Sequence, residues 1–182
     1  MKQILLWAGL FTLAACTSST EPESKTAPSS VASSESEKIT YPMPSEYSDT
    51  WEMGDPKNAV TILNLYKGWG NGNFDSFKNT LADSVELHWA TGDVNIGPKD
   101  SILPIIMAYR NNFSEVKNII HGFLSMRHKD SKQDFVLVWI KEITTAKDGK
   151  KDSVELQENW RINSVGKTDW VYQYDAALKP PK

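Results

Sequence analysis

The sequence predicts a single α+β domain, and three observations carry that expectation. Apolar residues recur at three-and-four spacing in three segments before residue 115. Beyond that point the period changes to two, in four runs joined by short polar links. The size also fits, because 182 residues with 40% hydrophobic and 10% aromatic side chains suffice for one packed core. A formal charge of −3, with 20 Lys+Arg against 23 Asp+Glu, provides no cationic field of the kind that phosphate backbones select. Nucleic acid is therefore not an expected partner. The single cysteine excludes an intrachain disulfide and any multi-cysteine metal cluster.

The chain opens with residues 1–15, in which Lys2 supplies a positive start and Ile4 begins an apolar run too short to span a bilayer. This segment reads as a signal peptide. Its end, Leu13-Ala14-Ala15-Cys16, resembles a bacterial lipobox, so Cys16 is expected to be lipidated and to become the mature N-terminus. Thr17 and Ser18 follow in place of an acidic residue, as in lipoproteins sorted to the outer membrane of Gram-negative bacteria. A diacylated thioether plus an acylated amine gives the two signals that stable anchoring needs. The membrane is thus expected as a partner through this anchor only, and the location as the bacterial cell envelope.

Residues 17–40 contain 8 Ser and 4 Thr and no aromatic, a composition unable to bury a core. As a flexible coil, the stretch from Cys16 onward would span roughly 35 Å, enough to hold a domain clear of headgroups. Residues 16–54 are therefore expected as lipidated cysteine, tether and an N-terminal appendage. In that appendage Pro44 and Ser45 are placed to open a short helix, and Trp51 and Met53 to pack on the domain surface or to serve as a lid.

The domain itself is expected over residues 55–182. Asp55 suits the cap of a helix and Pro56 its first turn; Ala59, Ile62, Leu63, Tyr66 and Trp69 form the stripe, and Gly70-Asn71-Gly72 ends it. Asn73 caps a second helix with Phe74, Phe77 and Leu81 on one side. Residues 84–90 read as a short strand. After Gly97-Pro98 a third helix carries Ile102, Ile105, Ile106, Tyr109 and Phe113, with Ser101 as its cap and Pro104 tolerated in its first turn.

Strands are expected at 116–128, 133–145, 152–164 and 168–175. In the 133–145 strand Phe135, Leu137 and Trp139 oppose Val136, Val138 and Ile140, so both faces need cover. In 152–164, Val154, Leu156, Trp160 and Ile162 separate from Glu155, Gln157, Asn159 and Arg161. Helices can cover one face only, which calls for a second layer or a partner subunit.

The run LNLYKGWGNGNFDSFKNTLADSVELHW, the later GPKDSI and the closing ENWRINSVGKTDWVYQYD follow one another in an order that resembles the nuclear transport factor 2-like superfamily, including its SnoaL-like members. The resemblance covers about residues 55–176. It implies a cone: three N-terminal helices packed on a strongly curved, mainly antiparallel sheet, with a pocket at the open end and homodimerisation through the outer sheet face. Function does not follow from such a fold alone.

Two readings are carried. In the first, the cone is a noncatalytic pocket for a small, mostly apolar molecule or an envelope component, and Tyr66, Trp69, His88, Tyr109, His121, Trp139 and Gln157 are its candidate contacts. In the second, the chain is a SnoaL-like or ketosteroid isomerase-like enzyme with His88 as proton-transfer base, since His88 falls near the position where such members carry a carboxylate. The resemblance also asks for a tyrosine on helix one and a protonated acid opposite; counting back from Gly72 places the tyrosine on Leu65, one step from Tyr66. The reading preferred for His88 is a polar residue at the pocket rim, that for His121 a satisfied core histidine, and His128, between Arg127 and Lys129, is expected to face solvent. No metal-ligand spacing, nucleophile elbow or phosphate loop is present, so no metal or cofactor is expected.

Overall fold

The computed structural model describes residues 40–175, so the signal segment, Cys16 and nearly all of the tether lie outside the described residues. The described residues from Met43 onward belong to one compact unit. Its elements run β1 (Trp51–Met53), α1 (Pro56–Asn71), α2 (Asp75–Thr80), β2 (Leu81–His88), β3 (Val94–Pro98), α3 (Lys99–Arg110), β4 (Phe113–His128), β5 (Gln133–Ala146), β6 (Lys151–Ile162) and β7 (Thr168–Asp175). Seven strands form one sheet in the order β1-β4-β5-β6-β7-β2-β3, antiparallel throughout except for the β2–β7 pair. The α+β class and the curled, mostly antiparallel sheet are as the sequence predicts.

The long helices form for the expected reasons. The Asp55 carboxylate accepts the Lys57 amide at 2.8 Å, Pro56 occupies the first turn, and Gly72 closes α1 in the left-handed conformation at φ 67°. Ala59, Ile62, Leu65 and Tyr66 on α1 and Ile102, Leu103 and Ile106 on α3 are buried against Val85, Leu87, Val136, Val138, Ile140, Trp160 and Val171 of the sheet. A side chain at Gly68 would sit 1.7 Å from Ser76 Oγ, so this glycine is what lets α2 fold back tightly on α1. Helix α3 starts at Lys99, two residues before the expected Ser101 cap, which puts Pro104 inside the helix. The helix continues through it.

Two strands are additional to the expected set. Trp51–Met53, expected as a surface appendage after a short helix, pairs with residues 126–128 of β4 as an edge strand. Val94–Pro98 extends the opposite edge against β2. The first of these reverses the expectation for His128. Covered by β1 and the segment before it, His128 is 4% exposed, with its ring 4.8 Å from Trp51 and 5.1 Å from Tyr47. Its Nδ1 accepts the Ser131 amide at 3.2 Å, and Nε2 lies 2.9 Å from Ser48 Oγ.

His121 is reversed in the other direction. The β4–β5 register slips between Ile120 and Gly122, which makes His121 the extra residue of a β-bulge. Its imidazole lies on the outer face in step with the exposed Lys117 and Ile119, 3.0 Å from Glu155, rather than in the core.

Candidate functional site

The helices cover the sheet incompletely, and the uncovered end of the concave face forms a cavity of about 890 Å³. That volume lies within the range of small-molecule sites. One wall is aromatic: Trp69 from α1, Phe77 from α2, Tyr109 from α3, and Phe113 at the start of β4. Trp69 and Tyr109 stack at 6.2 Å with 9° between their planes, and Phe113 meets Tyr109 edge-on at 5.4 Å. Behind them Arg110 lies 5.9 Å from the Trp69 ring centre. Its guanidinium donates to the main-chain carbonyls of Trp69, Gly70 and Phe113, which fixes the α1 and α3 ends beside the cavity.

The opposite wall is the sheet. Because side chains alternate along a strand, Glu142 on β5 and Glu158 on β6 point inward beside Ile140, Leu156 and Trp160. Glu158 is only 3% exposed. It accepts the Tyr66 hydroxyl, the Trp160 indole N–H at 2.8 Å and the Gln173 amide at 2.6 Å. Burial raises its pKa above the usual carboxylate value, against the lowering effect of those three donors. Tyr66 is raised well above its ordinary value, first by burial and then by the Glu158 charge, so its hydroxyl stays protonated.

Among the described residues Glu142 receives one hydrogen bond, from the Trp69 indole at 2.6 Å. Its pKa is also raised, chiefly by burial and further by Glu158, against Trp69 and Arg110, which lower it. Two carboxylates with raised pKa values face one aromatic-walled cavity, one enclosed by three donors and one holding a single donor among the described residues. They form the chemically distinctive feature of the site.

Of the candidate residues, Tyr66, Trp69 and Tyr109 line this cavity. His88, His121, Trp139 and Gln157 do not; all four sit on the outer face of the sheet. His88 pairs in register with Tyr172, stacks on it at 4.8 Å and 9°, and lies 2.6 Å from Glu86. Trp139 is 42% exposed beside Gly122, and the Gln157 side chain bonds to that of Asn159. Inner and outer positions alternate, so His88 is turned away from the pocket because its neighbour Leu87 faces in. The proton-transfer role assigned to His88 inside the cone therefore loses its geometry. Tyr66, one step from the Leu65 position that the resemblance indicates for a tyrosine, lines the cavity with its hydroxyl bonded to Glu158. Trp51 and Met53 do not line the cavity, which leaves no place for them as its lid.

Glu142 and Glu158 were not among the candidates. The signal was present: both fall in step with apolar residues, Glu142 after Val136, Val138 and Ile140, and Glu158 between Leu156 and Trp160. Among the described residues no three His, Cys, Asp or Glu side chains are grouped as a metal ion would require.

No protein-family model matches the chain, and no curated protein matches it in sequence. Solved structures do match its fold. An NTF2-like protein of unknown function from Exiguobacterium sp. 255-15 superposes with a TM-score of 0.53 at 12% identity, over 65% of this chain and 99% of that one. AusH from Aspergillus nidulans gives 0.55 at 15% identity over 71% and 90% of the two chains. An LEH-like epoxide hydrolase from M. tuberculosis gives 0.55 at 10% identity over 65% and 82%. The chain has the nuclear transport factor 2-like cone fold, which among its neighbours is shared by enzymes and by proteins of unknown function.

Proposed function

We propose that this protein is a lipid-anchored, noncatalytic binding protein of the bacterial cell envelope, whose cone takes a small, largely apolar molecule or an envelope component. The observation that carries the reading is the cavity of about 890 Å³, walled by Trp69, Phe77, Tyr109 and Phe113 and left open rather than filled by side chains. The anchor rests on Leu13-Ala14-Ala15-Cys16 and the outer-membrane location on the residues that follow. A second copy of the chain is proposed to cover the outer sheet face, where Trp139, Tyr172 and Tyr174 are exposed.

A thermal-shift screen of the full chain against sterols, lipids, polyketide-like aromatics and envelope fragments tests the binding reading. The expected result is a hit that raises Tm and is lost in Ile105→Trp, which fills the cavity mouth from an exposed position on α3. No hit from a well-folded protein contradicts it. Loss of acyl labelling on Cys16→Ser tests the anchor, and light scattering of the full chain in detergent tests the homodimer.

A second reading is an acid–base enzyme with the catalytic proton on Glu142 rather than His88. Burial holds the Glu142 carboxyl above its usual pKa inside the cavity, as a proton-transfer group requires. If this reading holds, Glu142→Gln keeps ligand binding and abolishes turnover of a bound compound.

A further inference from the structure

The polar end of the cavity's ligand is set by how the charges along its wall are compensated. Five carboxylates line it, Asp93, Glu142, Asp152, Glu158 and Asp175, against one ammonium, Lys150. The buried cation nearby, Arg110, is committed elsewhere, with Nε, Nη1 and Nη2 all donating to main-chain carbonyls at 2.8, 3.1 and 3.0 Å. Glu158 is also committed, to Tyr66, Trp160 and Gln173.

Glu142 differs from both. Its Oε2 takes the neutral Trp69 N–H, and among the described residues Oε1 has neither a hydrogen bond nor an ion-pair partner. A carboxylate offers about four acceptor positions, so most of this half-buried one's capacity is left for solvent or a ligand, beside the aromatic wall of the cavity. The group that relieves such a carboxylate most is a cation with N–H donors. The rings of Tyr109 and Phe113 beside it offer apolar contact for the rest of a molecule and favour a nearby positive charge.

We propose that the cone binds a small molecule with an ammonium-type head, its N–H groups on Glu142 Oε1 and its apolar body among Trp69, Tyr109 and Phe113. This rests on the cone being a ligand cavity, and it names the class of ligand.

Calorimetric titration of the full chain with phenylpropylammonium, phenylpropanol and phenylpropanoate isolates the head group on one apolar body. The ammonium is expected to bind about tenfold tighter than the alcohol, as one charge-assisted hydrogen bond in a desolvated site allows, with the carboxylate weakest. Glu142→Gln should bring the ammonium down about tenfold, to the level of the alcohol. In the wild type, lowering the pH to protonate Glu142 should weaken the ammonium alone, so the test stands even if the variant fails to fold. Equal binding of all three, or tighter binding of the alcohol or carboxylate, overturns the proposal while leaving the cavity reading intact. Binding by none of them also overturns it, and the cavity reading falls with it only if the wider thermal-shift panel is equally silent.

Discussion

Glu155 and Glu158 stand three residues apart on β6, and the strand's alternation sends them to opposite faces of the same sheet. Glu155 is half-exposed between Lys141 at 3.1 Å and His121 at 3.0 Å, and these partners hold its pKa below the usual carboxylate range. Among the described residues Glu158 has no cation beside it, only neutral donors, and burial drives its pKa up. Inside, dehydration outweighs three hydrogen bonds; outside, water screens the ion pairs that look stronger on paper. The comparison teaches that the charged residues with most consequence here are those without a countercharge.

The largest expected effect lies on the inner side. Glu158→Leu should cost about 3 kcal/mol in urea unfolding, because it leaves the Trp160 indole, the Tyr66 hydroxyl and the Gln173 amide without their shared acceptor. Glu155→Leu should leave the unfolding midpoint within error. Equal losses at the two positions would break the comparison.

The pH dependence should differ in sign. Because the folded pKa of Glu158 lies above its unfolded value, its stabilising effect is complete below the ordinary carboxylate range and is lost as pH rises through the folded pKa. The stability difference between wild type and Glu158→Gln should therefore shrink on going from acidic to neutral pH. Glu155 should act in the opposite direction, its small contribution lost as pH falls.

A smaller effect tests the cavity wall. Trp69→Phe keeps a ring but removes the N–H on Glu142, at an expected cost of about 1 kcal/mol, with the Glu142 carboxyl titrating at still higher pH by carbon NMR. The smallest effect is expected on the outer face, where His88→Ala should leave the Tm shift of any cavity ligand unchanged.

Much of this architecture was legible in the sequence. The α1 stripe, its Asp55-Pro56 start and the alternation of β5, β6 and β7 all depend on local periodicity, which the chain states plainly. What was missed depends on long-range pairing. Strand β1 is three residues long and acquires its structure from β4, and that same pairing buries His128. His121 is misplaced because both faces of β4 carry apolar residues, so the alternation alone does not say which face the helices cover. His88 was misassigned although Leu87 and Val85, both buried, already fixed the inward face of β2. Glu142 and Glu158 are readable in the same way, as carboxylates at positions that the alternation of β5 and β6 otherwise gives to apolar residues.

The proposed binding reading places the functional surface on the concave face of the sheet and not on the outer one. The tryptophan indole N–H resonances report on both, since Trp69 and Trp89 line the cavity while Trp139 lies on the outer face. Titrating the full chain with the best thermal-shift hit should move the Trp69 and Trp89 signals and leave Trp139 in place. Movement of Trp139 with Trp69 and Trp89 unchanged would contradict the account.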